Sequence, residues 1–142
     1  MQKITDDKLI DAAQTACKRA YAPYSNFRVG AAVALDDGTI VTGCNVENAS
    51  YGLTICAERA AVFSAVAAGA TAISRIAVAV ESSQDGANAL MPCGGCLQVL
   101  SEFMPADGEI LIAGGGKFAL RDLLPHAFSL SETKTTEGPN DK

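Results

Sequence analysis

A chain of 142 residues, 49% of them hydrophobic, is long enough to bury a core as one domain, and its formal net charge of −5 disfavours a polyanionic partner such as nucleic acid. No apolar run approaches the ~20 residues that a membrane helix needs, so no membrane partner is expected. Five cysteines follow an N-terminus without the basic-then-apolar order of an export signal, and they read as reduced thiols and metal ligands in a cytoplasmic enzyme.

Leu9, Ala13, Ala16 and Ala20 recur at helical spacing and predict a helix over 5–20, capped by Thr5 or Asp6, with Cys17 on its apolar face as a core residue. Residues 27–35 and 39–45 flank Asp36-Asp37-Gly38 and predict a hairpin, in which Cys44 is structural. An Ala-rich helix opens at Cys56 and stops at Gly69. The run 73–81, with Ile73, Ile76, Val78 and Val80, predicts a buried strand. A second helix opens at Cys93, just after Pro92, and stops at Pro105. A strand over 109–113, a turn at Gly114-Gly115-Gly116 and a short helical segment over 120–124 complete the ordered part. His126 falls in a surface-like turn and is not read as a ligand. Residues 131–142 carry no apolar anchor and read as a frayed tail behind a single domain spanning 1–130. The order α-β-β-α-β-α-β implies an α/β fold, with helices packed on a mixed sheet.

The chemistry concentrates at Cys56-Ala57-Glu58 and at Pro92-Cys93-Gly94-Gly95-Cys96. A catalytic Zn²⁺ keeps three protein ligands and leaves its fourth position to water. Cys56, Cys93 and Cys96 supply three, and Glu58 sits close enough to reach that water as a general acid/base. Each half of the pattern is weak alone. Both halves open helices, whose free N–H groups and positive dipole ends favour thiolates. Two other readings stand beside it. A thioredoxin-like redox pair would leave Cys56 and Glu58 unexplained, and a closed zinc-stabilised module would need a fourth ligand and no use for Glu58.

Five blocks carry a resemblance: Tyr-Ala-Pro-Tyr-Ser-Asn-Phe-Arg-Val-Gly (21–30), Gly-Cys-Asn-Val-Glu-Asn-Ala-Ser-Tyr-Gly (43–52), Cys-Ala-Glu-Arg-Ala (56–60), Pro-Cys-Gly-Gly-Cys-Leu-Gln (92–98) and Leu-Leu-Pro-His-Ala-Phe (123–128). In that order and spacing, the chain closely resembles the small three-cysteine cytidine deaminases, which act on free pyrimidine nucleosides. The resemblance implies a three-layer α-β-α fold, one Zn²⁺ per subunit, and hydrolytic deamination of cytidine and 2′-deoxycytidine in pyrimidine salvage. It implies that Glu58 shuttles protons and that Ala57 N–H meets the base O2. Phe27 would pack on the pyrimidine face, and Asn45 and Glu47 would bind the sugar 3′-hydroxyl. Phe128 would reach a neighbour's site in a homotetramer with shared active sites. Arg59, next to Glu58, would offset the net negative charge of three thiolates around Zn²⁺. Asn45 and Glu47 alternate by two at a strand end, which points them to one face. The chain departs from the family at Leu97, where members commonly carry Arg. Gly114-Gly115-Gly116, after the strand over 109–113, reads as a plain turn and not as a loop that cradles phosphate, and Glu47 would repel one, which favours a nucleoside over a nucleotide.

Overall fold

The computed structural model describes residues 3–81 and 90–130, so the tail expected over 131–142 lies outside the described residues. The elements run α1 (Asp6–Cys17), β1 (Val29–Ala34), β2 (Ile40–Cys44), a 3-10 turn (Tyr51–Leu53), α2 (Ala57–Ala67), β3 (Arg75–Val80), α3 (Gly94–Phe103), β4 (Glu109–Ile112), β5 (Gly116–Ala119) and α4 (Leu120–Leu123). Strand order is β2-β1-β3-β4-β5. The sheet is mixed: β3 and β4 run parallel, and every other pairing is antiparallel.

Alternation along the strands decides the three layers. Ala32, Ala34, Ala77, Ala79 and Leu111 face Leu9, Ala13 and Cys17 of α1. Ala31, Val33, Ile76, Val78, Ile110 and Ile112 face Ala61, Val62 and Ala65 of α2 and Leu97 and Leu100 of α3. All six residues of β1 are buried, as expected for a strand covered on both faces. Val62, Ile76, Leu100 and Ile110 are fully buried, each contributing about 1.5–3 kcal/mol.

The two main helices lie unusually close to the sheet. A Cβ on Gly30 would stand 2.1 Å from the Ala13 carbonyl oxygen of α1, and one on Gly43 would stand 2.3 Å from the Ala61 nitrogen of α2. Only glycine permits both approaches.

Helix ends follow local chemistry. The Thr5 side chain caps α1 by accepting from Lys8 N at 3.1 Å. This helix ends at Cys17, short of the expected residue 20, because Arg19 N and Ala20 N turn back onto Ala16 and Cys17 carbonyls three residues earlier. Gly69, at φ 105, closes α2. Gly69 N donates to Val66 O and Ala70 N to Ala65 O, the paired bonds of a Schellman end. One strand is absent from the expected order. The stretch Gly116–Ala119 pairs with β4 as an edge strand directly after the glycine turn.

Candidate active site

Cys56 is the N-cap of α2 and Cys93 the N-cap of α3, both with extended backbone. One helical turn then carries the chain from Cys93 to Cys96, and Cys96 N–H donates to Cys93 Sγ at 3.5 Å. The three sulfurs lie within 4.8 Å of one another, and Cys93 Sγ stands 3.6 Å from Cys96 Sγ. Two sulfurs ~2.3 Å from a tetrahedral zinc are separated by about 3.8 Å, so the cluster fits the ion. Among the described residues no fourth His, Cys, Asp or Glu joins the group. His126 is exposed, in the expected turn. Cys17, by contrast, is core: it is 2% exposed, and its thiol donates to Ala79 O.

The surroundings of Cys56 favour its thiolate. A hydrogen bond from the Cys96 thiol, with a second from Arg59, pulls the Cys56 thiol down to about 5. Cys96, sharing its proton with Cys56 and buried, is pushed up. Arg59 Nη2 donates to Cys56 Sγ at 3.3 Å, and its buried Nε has no hydrogen-bond partner. This guanidinium is therefore committed to the cluster. Glu58, on the same first turn, is 4% exposed, and burial raises its carboxyl pKa, with the Cys56 charge adding to the effect. A buried carboxyl pushed toward neutrality, two residues from a sulfur ligand, is equipped to take up and release protons.

The remaining residues gather on neighbouring loops. Ala57 opens α2 fully buried, and its N–H is among the four that helix geometry leaves without a partner inside the helix. Asn45 lies one residue beyond the end of β2 and is buried, its Oδ1 accepting from Val29 N at 2.9 Å and its Nδ2 donating to Phe27 O at 2.8 Å. The Glu47 carboxylate accepts from Tyr24 N, Ser25 N and the Ser25 hydroxyl, and the Ser25 bond holds it below its usual pKa. Both side chains reach residues 24–29, the loop that leads into β1 and the first residue of that strand, and Val46 between them bridges Tyr21 and Ile55. Phe27 is half-buried against the larger core cluster. Phe128 is 70% exposed, while its backbone is gripped by the Gln98 side chain. Gln98 stands inside a quoted motif, but sequence carries no signal for a contact 30 residues away.

Residues 3–111 match the family model described as the cytidine and deoxycytidylate deaminase zinc-binding region. The chain belongs to that family. It is 41% identical over 128 residues to a cytidine deaminase of Halalkalibacterium halodurans, covering 87% of this chain and 94% of that protein. A cytidine deaminase of Mycobacterium tuberculosis is 48% identical over 122 residues, covering 84% of this chain and 86% of its own length. The crystal structure of cytidine deaminase from Burkholderia pseudomallei superposes with a TM-score of 0.78 at 47% identity, covering 87% of this chain and 99% of that one. These likenesses bear out the α/β three-layer fold and, with the sulfur cluster, one Zn²⁺ per chain. Within this family the departure at Leu97 has a structural answer. Leu97 is 7% exposed in the core cluster shared with α2, so an apolar side chain fills that place and Arg59 is the guanidinium on the sulfurs.

Proposed function

We propose that this chain hydrolytically deaminates cytidine and 2′-deoxycytidine to the uridine nucleosides with release of ammonia. The observation that carries this reading is the three-sulfur cluster at two helix N-termini with buried Glu58 on the first turn of α2. Zinc held by Cys56, Cys93 and Cys96 would supply the Lewis acidity that lowers the pKa of a water from ~15.7 toward ~7.

Glu58 then handles the protons. Its carboxylate takes one from the water whose oxygen bonds to C4 of the base, and it delivers that proton to ring N3. It next takes the proton of the new C4 hydroxyl and gives it to the amino nitrogen. The C4–N bond breaks with its electron pair leaving on ammonia, and the C4 carbonyl forms. Arg59 keeps its guanidinium against Cys56 and offsets the negative charge of the sulfurs. The Ala57 N–H meets the base O2, Phe27 packs on the ring, and Asn45 and Glu47 receive the 3′-hydroxyl. A pair that touches only that hydroxyl accepts ribose and deoxyribose alike.

Assembly as a homotetramer is part of the same reading. Tyr51, Phe128 and Leu130 are 75%, 70% and 75% exposed, and Tyr24 stacks edge-on against Tyr51 with ring centroids 6.0 Å apart. Large apolar side chains left this exposed favour burial against further copies. On this reading, Phe128 of one subunit closes over the base bound by another. Residues 1–130 act as one catalytic domain. Among the described residues no helix is long and apolar enough to cross a membrane, and five free cysteines suit the reducing cytoplasm in which we place the enzyme.

The test is an ultraviolet assay of zinc-loaded protein with cytidine, 2′-deoxycytidine, cytidine monophosphate and free cytosine. Turnover of the two nucleosides well above the other two is expected. Comparable rates on all four would overturn the nucleoside site, and no turnover of any would overturn the activity.

A further inference from the structure

We infer that Gln98 is a positioning residue for base recognition, its carboxamide clamping the backbone of Phe128 to the helix that carries Cys96. The inference rests on the proposed role of Phe128 at the substrate. Gln98 Nε2 donates to Phe128 O at 2.8 Å, and Gln98 Oε1 accepts from Phe128 N at 3.2 Å. One side chain thus satisfies both backbone groups of one residue, as a neighbouring strand would. Such a two-point grip fixes the peptide planes on either side of the Phe128 Cα and so the direction of its Cα–Cβ bond.

Residues 124–130 form no helix or strand. At 70% exposure, Phe128 gains little from packing in its own chain, so within the subunit the clamp sets its position. Gln98 lies two residues beyond Cys96 on α3, whose apolar side is anchored by fully buried Leu100. The same rigid helix therefore carries a sulfur of the zinc cluster and the anchor of the aromatic ring.

The test uses zinc-loaded full-length protein and cytidine. Gln98→Met keeps the length of the side chain and removes both bonds. Gln98→Glu keeps the acceptor but sets a second oxygen against the Phe128 carbonyl. Two neutral hydrogen bonds support a KM rise of about 3- to 30-fold in either variant, with kcat and zinc content unchanged. Amide exchange at Phe128 should quicken in the same variants. The double variant Gln98→Met/Phe128→Ala should be no worse than Phe128→Ala alone, because the clamp acts only through the ring. Additive losses, or a fall in kcat and zinc at unchanged KM, would overturn the inference. A Phe128→Ala variant with normal KM would sink the reading of Phe128 itself and this inference with it. Raised KM in Phe128→Ala beside normal KM in both Gln98 variants would sink the Gln98 inference alone.

Discussion

Gly43 sets how close the zinc-bearing helix lies to the strand that leads to Asn45, and Gly43→Ala should show it. The added Cβ would stand 2.3 Å from Ala61 N and 2.8 Å from Ala57 O, all backbone of the first turns of α2. Ordinary contact needs about 3.5 Å, so that turn must retreat by about 1 Å. Cys56, Glu58 and Arg59 ride on it, whereas Cys93 and Cys96 on α3 do not. Zinc sites tolerate ligand errors of only ~0.2 Å. A misplacement of ~1 Å can by itself cost about 10²-fold in rate.

Gly30→Ala is the control. Its Cβ would meet Ala13 O at 2.1 Å, a clash at least as severe, but against α1 on the opposite face of the sheet. Overpacking should lower the stability of both variants by about 1–3 kcal/mol or more. Thermal melts, zinc per chain, chelator competition and kcat are measured well below the lower melting midpoint. Gly43→Ala should lose about 10²-fold in kcat and hold zinc more weakly, while Gly30→Ala keeps both. Equal kinetic damage in the two variants, or none in Gly43→Ala, would refute the reasoning.

Three further outcomes are expected. In metal-free protein, Arg59→Ala should raise the Cys56 titration above about 5, since the guanidinium favours the thiolate, while the larger effect of the Cys96 hydrogen bond remains; ultraviolet thiolate absorbance against pH reads it, and an unmoved curve would detach Arg59 from the cluster. Hydrogen bonds from Lys117 and Arg75 hold the Asp6 carboxyl below the usual range, so its contribution to stability is present above ~3.9 and fades as pH falls through the lowered folded value. Asp6→Asn should accordingly melt earlier at neutral pH, by a margin that closes in acid; a pH-independent gap would contradict the assignment. Mixing inactive Glu58→Gln chains with impaired Phe128→Ala chains should restore activity at hybrid sites, and no recovery despite proven subunit exchange would mean that each subunit builds its site alone.

The parts of this molecule legible in its sequence are those decided by neighbours along the chain. Cys56 and Cys93 announce two helix starts because capping and the residues that follow are local, and Gly69 ends α2 because a left-handed closing residue favours glycine. Strand β5 was hidden for the opposite reason. Gly116-Lys117-Phe118-Ala119 is short and opens on a glycine at φ 99, and only pairing with β4 makes it a strand. The partners of Asn45 and Glu47 were hidden as well, because both side chains turn onto residues 24–29, well back along the chain. Gly43 and Gln98 sit in motifs visible at once, yet their work depends on contacts with α2 and with residue 128 that no local pattern encodes.

The most direct test of the central claim compares Glu58→Gln with the unaltered protein, measuring cytidine turnover and zinc per chain on the same preparations. Glutamine keeps the shape of the buried side chain and removes its ability to carry protons. Turnover should fall by at least the ~10²–10⁴-fold typical of a lost general acid/base, with zinc still near one per chain. Loss of the metal together with activity would make Glu58 a ligand, and near-normal turnover would leave the proton shuttle without a carrier; either result contradicts the account.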